Sequence, residues 1–248
     1  MRRQRQIDRW RHRAARGPLA GRGRRPGAFT LVELLTVVAI LSILLTILMP
    51  AVARGKRLAQ RAVCLAHLHG VGRASLLYAA ENKNFVPWGN NVLWFKAFLP
   101  YAGAGPRTTD YRNVRIYRCP AYPDKKQTVC FVASAWTFNG LSDTTGHDIN
   151  NPRNLQEFDR PFATLYLADN ENGSWRQIIT SASDPELSRQ DVWNPGHLPT
   201  STSQDITYGR RVARDRHDAG CNGTFLDGHA NWLRAAAMTV NSWRDKWR

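Results

Sequence analysis

The sequence is short of acid. Nineteen Asp and Glu stand against 35 Lys and Arg in 248 residues, a formal net charge of +16. Such an excess points first to nucleic acid, yet no stretch interleaves basic and aromatic residues as a nucleic-acid-binding surface does. Cysteine is scarce as well. Cys64, Cys119, Cys130 and Cys221 contain no Cys-x-x-Cys pair, which argues against a zinc ribbon. There is no Gly-x-Ser-x-Gly elbow, and nothing sets a base beside a nucleophile, so the chain reads as a protein without catalysis of its own. No twelve-residue acidic loop of the EF-hand kind is present, and no internal repeat, which excludes a solenoid. A hydrophobic content of 43% still suffices for a core, in one domain or two.

Charge is missing most completely between Leu34 and Met49, where only Thr36, Ser42 and Thr46 are polar. With Phe29 to Glu33 before it and Ala51 to Ala53 after it, this run is long enough to cross a bilayer, for which about 20 residues suffice. Its one carboxylate, Glu33, lies near the start. An ionisable group there costs a few kcal/mol unless paired, which marks it as a functional candidate. Upstream, Met1 to Ala28 carries ten Arg and one Asp, a net of +9 that leaves +7 for the remainder. This segment has no apolar periodicity and is expected to be unstructured and removed. Its charge holds the N-terminal side in the cytoplasm. A smaller basic cluster, Arg54, Lys56, Arg57 and Arg61, flanks the other end.

The stretch Ala28-Phe29-Thr30-Leu31-Val32-Glu33 resembles the cleavage and methylation motif of type IV prepilins and type II secretion pseudopilins. The resemblance implies that a prepilin peptidase removes the leader, residues 1–28, and that Phe29 becomes the N-methylated first mature residue. Glu33 is then the fifth, a register element in assembly, and Pro50 the twenty-second, where the helix bends because Pro has no N–H for the Thr46 carbonyl. The family usually has Gly directly before the Phe; here Gly27 is one position early. The scissile bond is Ala28-Phe29, which keeps the Glu spacing, or Gly27-Ala28, which does not. Two rivals remain for this segment. One is a secretory signal peptide cut after Ala51-Val52-Ala53; the other is an unprocessed signal anchor.

Phe29 to about Asn82 is expected as one helix, with a membrane half (29–53) and an amphipathic half (54–82). The expected packed stripe of the second half is Leu58, Ala62, Leu65, His69, Gly72, Leu76 and Ala80. Gly70 and Gly72 weaken that helix by roughly 1 kcal/mol each unless they admit a close neighbour. Residues 83–248 read as one globular domain, and the fold class is α+β: a pilin-like long helix packed on a small antiparallel sheet. Trp94 to Leu99 is expected as a short helix. Val114 to Arg118, Val129 to Trp136 and Ala163 to Ala168 are expected as strands, and Ser181 to Asp205 as loop. Asp227-Gly228 between two apolar runs is a hairpin signal, and Ala235 to Trp247 a short closing helix.

His217 precedes Asp227-Gly228 by nine intervening residues. With Cys119-Pro120, Ser134 to Asn139 and Leu167-Ala168-Asp169, this His-x9-Asp-Gly segment resembles the C-terminus of one large group of prepilin-like proteins. His217, Asp227 and His229 are candidate metal ligands if they meet across the hairpin; the expected alternative is structural, with Asp227 holding the turn. Cys119 and Cys130 bracket a Pro-containing turn and are a candidate disulfide. No cofactor is expected beyond a calcium ion, for which Asp143, Asp148, Asp184, Glu186 and Asp191 offer oxygens, similar to some major pseudopilins. Nine Trp leave open a carbohydrate- or ligand-binding module as the alternative. The expected function is a structural subunit of a type II secretion pseudopilus or type IV pilus-like filament. Its partners would be the peptidase, other pseudopilins and the bacterial inner membrane, not nucleic acid, and its C-terminal domain would be periplasmic.

Overall fold

A computed structural model of the chain describes residues 29–89, 93–103, 110–172, 190–205 and 207–248. The leader with Ala28, and the candidate calcium ligands Asp184 and Glu186, lie outside the described residues. Two units divide the chain, residues 1–49 and 50–248.

The described part of the first unit is the start of one α-helix, α1, which runs Leu31–Glu81. Its 19 residues to Met49 cover roughly 28 Å at 1.5 Å per residue, close to a hydrocarbon core. All side chains from Phe29 to Ala59 are exposed. The three polar ones in the apolar run turn back on the helix: Thr36 Oγ1 donates to the Glu33 carbonyl at 3.0 Å, Ser42 Oγ to Val38 at 2.7 Å and Thr46 Oγ1 to Ser42 at 2.8 Å. No hydroxyl is left facing lipid without a partner, the condition for residence in hydrocarbon. Pro50 lies inside α1 without ending it.

In the second unit α1 ends as its chemistry requires. Lys83 and Asn84 take positive φ (53° and 65°), and Asn84 N–H bonds back to the Ala79 carbonyl at 2.8 Å, closing the last turn. The main sheet has five strands: β2 (Phe131–Ser134), β6 (Leu165–Asp169), β7 (Asp191–Val192), β8 (Gly220–Phe225) and β9 (Ala230–Arg234). Their order is β7-β2-β6-β8-β9, antiparallel except for the β2–β7 pair. Two short pairs stand beside it, β1 (Phe85–Val86) with β5 (Arg153–Asn154), and β3 (Trp136–Thr137) with β4 (His147–Asp148). The short helix at Trp94–Ala97, α2, forms as expected.

Strands β2, β6 and β8 are buried throughout because both faces of the sheet are covered. On one side Phe131, Ala133, Tyr166 and Leu167 join the helix residues Cys64, Leu68 and Val71 with Trp88, Phe95, Phe98 and Tyr117. On the other, Val132, Leu165 and Ala168 join Trp136, Phe138, Val192 and Trp243. Tyr166 and Leu167, neighbours in sequence, share a side because the register shifts between Leu165 and Leu167.

The second half of α1 does not present the expected stripe. Its buried residues are Cys64, Leu68, Val71, Gly72, Ala74, Ser75 and Ala79. Only Gly72 is common to both sets, and the helix is turned by about one residue, roughly 100°. The cause is Gly72 itself, where a Cβ would meet the Gly228 carbonyl at 2.5 Å and Thr224 Oγ1 at 2.6 Å. The helix approaches the β8–β9 turn at the one point without a side chain, and this contact sets its rotation. His69 is therefore exposed. Val114 to Arg118 is not a strand; 3-10 turns occupy Tyr111–Asn113 and Arg115–Tyr117. The closing segment forms 3-10 turns at Ala235–Ala237 and Val240–Trp243 in place of a continuous helix. It is fastened by Asp245, which accepts from Thr137 Oγ1 (2.6 Å), Phe138 N–H (3.0 Å) and Arg153 Nη1 (3.0 Å) in a fully buried position.

Candidate functional site

Three places carry the residues singled out by the sequence. The first is the start of α1. Thr30 caps it: Thr30 Oγ1 accepts from Glu33 N–H at 3.2 Å, and Glu33 Oε2 accepts from Thr30 N–H at 2.9 Å and from Thr30 Oγ1 at 2.8 Å. This reciprocal capping box follows from the pattern Thr-x-x-Glu in the sequence. Glu33 thus has a local structural task besides any role in assembly.

The second place is the β8–β9 turn. Gly228 has φ +86°, a value that suits glycine. Asp227 Oδ1 accepts from His229 N–H (3.2 Å) and meets His229 Nδ1 at 2.5 Å, while the His229 ring stacks on Phe225 at 4.2 Å. Both Asp227 and His229 are exposed. His217 does not meet these two, so the condition for a shared metal site across the hairpin is not met. Strand β8 separates them, and six residues at about 3.3 Å each put roughly 20 Å between the ends of the strand.

The third place holds His217, in the buried interior. The ligating atoms of Cys64, Cys119, Asp169 and His217 all lie within 4.8 Å of one another, and all four residues are buried. Cys64 comes from α1, Cys119 from the turn before Pro120, Asp169 from the end of β6, and His217 from the loop leading into β8. Cys64 Sγ is 3.2 Å from Asp169 Oδ1, Cys119 Sγ 3.4 Å from His217 Nε2, and His217 Nε2 3.4 Å from Asp169 Oδ2. Asn222 N–H donates to Asp169 Oδ2 at 2.7 Å, and the Asn222 amide donates to the Arg61 carbonyl of α1 at 3.1 Å.

Burial pushes the Asp169 carboxyl up to about 7. The Cys119 thiol is pulled well down by its hydrogen bond with Cys64, then by His217 and Arg216. Cys64 is pushed up by burial and by Cys119. The proposed Cys119–Cys130 disulfide is not formed: all four cysteines are free thiols. Cys119 is drawn instead towards Cys64 and His217, and Cys130 is a separate buried thiol raised to about 12 by burial.

Of the described calcium candidates, Asp148 is exposed in β4, and Asp143 and Asp191 serve local structure. Asp143 accepts from the N–H groups of Asn139, Thr145 and Gly146, and Asp191 pairs with Arg211 in a buried site. Among the described residues no Trp is exposed: Trp88, Trp94, Trp136 and Trp243 are buried and Trp193, Trp232 and Trp247 half-buried.

Among the described residues, one helix, α1, is long and apolar enough to cross a membrane, and with the match that follows it supports a membrane-anchored protein. Residues 23–49 match the family model described as the prokaryotic N-terminal methylation motif. The match spans the end of the leader, Phe29, Glu33 and the apolar run, and it supports a pilin- or pseudopilin-type subunit. No curated protein and no solved structure matches the chain.

Proposed function

We propose that this chain is a prepilin-like structural subunit. A prepilin peptidase cuts it at Ala28-Phe29, Phe29 is N-methylated, and the product assembles with copies of itself and other pseudopilins. The product is a type II secretion pseudopilus or a type IV pilus-like filament, and the subunit takes part without catalysis. Before assembly the protein sits in the inner membrane, N-terminus in the cytoplasm and globular domain in the periplasm. The observation that carries this reading is the match to the methylation motif at residues 23–49, whose described part from Leu31 to Met49 is helical and exposed. The burial of the described Trp side chains favours a scaffold over a Trp-lined sugar-binding face.

Cleavage before Phe29 creates a positive amine at the membrane edge, four residues ahead of Glu33 and just outside the capped first turn of α1. An unpaired carboxylate among lipid chains costs several kcal/mol, so Glu33 seeks that amine or the amine of an incoming subunit. The capping box makes the test sharp. Glu33→Gln keeps a side chain able to complete the box and loses the charge; Glu33→Ala loses both. Wild type and both variants are expressed in the native host and compared for membrane fraction, N-terminal sequence and sheared filament yield. All three should start at Phe29 and insert, and filament yield should fall at least tenfold in both variants. Full yield with Glu33→Gln would assign Glu33 to capping alone. A mature chain starting at Arg54 would make this a secreted soluble protein and end the pilin reading.

A further inference from the structure

From the four-residue cluster we infer that Cys64, Cys119, Asp169 and His217 form a structural zinc site that clamps α1 to the sheet. The inference stands apart from the filament reading, since all four residues belong to the globular unit.

The donor set is the kind that zinc selects. It has two thiolates, one imidazole and one carboxylate, soft to borderline donors suited to a redox-silent ion of four-coordinate geometry. The spacing agrees. With Zn–S near 2.3 Å and Zn–N or Zn–O near 2.0–2.1 Å, the edges of a tetrahedron fall at roughly 3.3–3.8 Å. Three of the six separations are 3.2, 3.4 and 3.4 Å, with Asp169 turning one oxygen to Cys64 and the other to His217, and all the ligand atoms lie within 4.8 Å of one another, so small side-chain shifts bring them to one ion. Four protein ligands close the coordination sphere, which is the arrangement of a structural site.

The surroundings fit an anionic centre. Two thiolates and a carboxylate around Zn2+ leave a charge of −1. Arg216, whose charge acts on both Cys119 and Asp169, offsets it. Its Nε and Nη1 are buried without a hydrogen-bond acceptor among the described residues. The Asn222 N–H to Asp169 bond fixes the carboxylate from outside, as second-shell donors do. Zinc binds the two sulfurs as thiolates, the imidazole as the neutral ring and Asp169 as the carboxylate, and whatever protons these groups carry beforehand go to solvent. Four segments, each about fifty residues from the next in sequence, are tied at one point. The other two cysteines, Cys130 and Cys221, lie outside the cluster.

The full chain, extracted in detergent without chelator and without a polyhistidine tag, is analysed for metal by mass spectrometry. It is then stripped and reloaded with Zn2+ or Co2+. Wild type should hold about one zinc per chain. The Co2+ form should show thiolate-to-cobalt charge-transfer absorption of two-thiolate intensity. Cys64→Ser and His217→Ala should retain less than a tenth of the metal, while Cys221→Ser keeps it. Chelation should lower the denaturation midpoint of wild type and leave Cys64→Ser unchanged. If the cluster variants fail to fold, the wild-type zinc content and cobalt spectrum decide alone. Folded wild type that takes up neither ion, or a Cys64–Cys119 disulfide found by peptide mapping of the native protein, would overturn the inference.

Discussion

Gly72→Ala adds one methyl group where α1 meets the β8–β9 turn. The new Cβ would lie 2.5 Å from the Gly228 carbonyl oxygen and 2.6 Å from Thr224 Oγ1. Neither atom yields easily. Gly228 is held in a positive-φ turn by the bonds around Asp227, and Thr224 Oγ1 is tied to the His229 carbonyl at 2.9 Å. Helix propensity alone would reward the substitution by about 1 kcal/mol, while overpacking costs about 1–3 kcal/mol. The rigid backbone contact puts the site in the upper half of that range, so the net is a loss of about 1–2 kcal/mol. Gly70→Ala is the matched control, because its Cβ meets only Ile116 carbons at 3.5 Å or more, an ordinary contact. There the propensity gain survives, up to about 1 kcal/mol. Two identical changes two residues apart should thus move stability in opposite directions. Urea denaturation of the full chain in detergent, followed by fluorescence of the buried Trp residues, reads the difference as midpoints of opposite sign. A Gly72→Ala protein as stable as wild type would refute the close approach and the helix rotation derived from it.

Two further outcomes follow from the buried and capping carboxylates. Asp245→Asn should cost about 3 kcal/mol, the lower end of the range for breaking a buried ion pair, because Arg153 keeps its 2.6 Å bond to Glu157; thermal melting of wild type and variant measures it. Asp143 is held down to about 2 by the N–H groups of Asn139, Gly146 and Thr145, so its contribution is present above the ordinary carboxylate range and is lost as pH falls through about 2. Asp143→Asn should therefore lower the melting temperature at neutral pH and lose its difference from wild type near pH 2.

What the sequence revealed was local. Phe29, Glu33 and Pro50 stand at fixed distances in one apolar run, and Asp227-Gly228 sits between two short apolar runs, so both could be read without knowing what lies nearby in space. The Thr30–Glu33 capping box was equally local and legible. The cluster around His217 was not, because its four members come from four elements and no spacing in the chain announces them. The signal available was the co-occurrence of Cys119-Pro120, Leu167-Ala168-Asp169 and His217 within one family-like pattern, which does not say which side chains touch. The helix stripe failed for a different reason. Hydropathy favours Leu58, Leu65 and Leu76 over Cys64, Ser75 and Gly72, but close packing rewards the small residues.

That reversal bears on function. Leu58, Val63, Leu76 and Leu77 are left exposed on the second half of α1, at 55%, 46%, 36% and 52%. The face they would have filled in an isolated domain is taken by Cys64, Leu68, Val71, Gly72 and Ser75. These exposed apolar side chains are available to a partner that lies along the helix. All four lie on the part of α1 in the second unit, where neighbouring subunits of the proposed filament would cover them. On this half of α1 the small residues, with Leu68 and Val71, serve the fold, and the exposed large ones are left for the proposed assembly. It also gives the clamp at Cys64 a purpose. A helix whose outer face is loaded by neighbours transmits that load to the sheet, and a metal-tied contact at Cys64 with a close contact at Gly72 would hold its rotation fixed at two points.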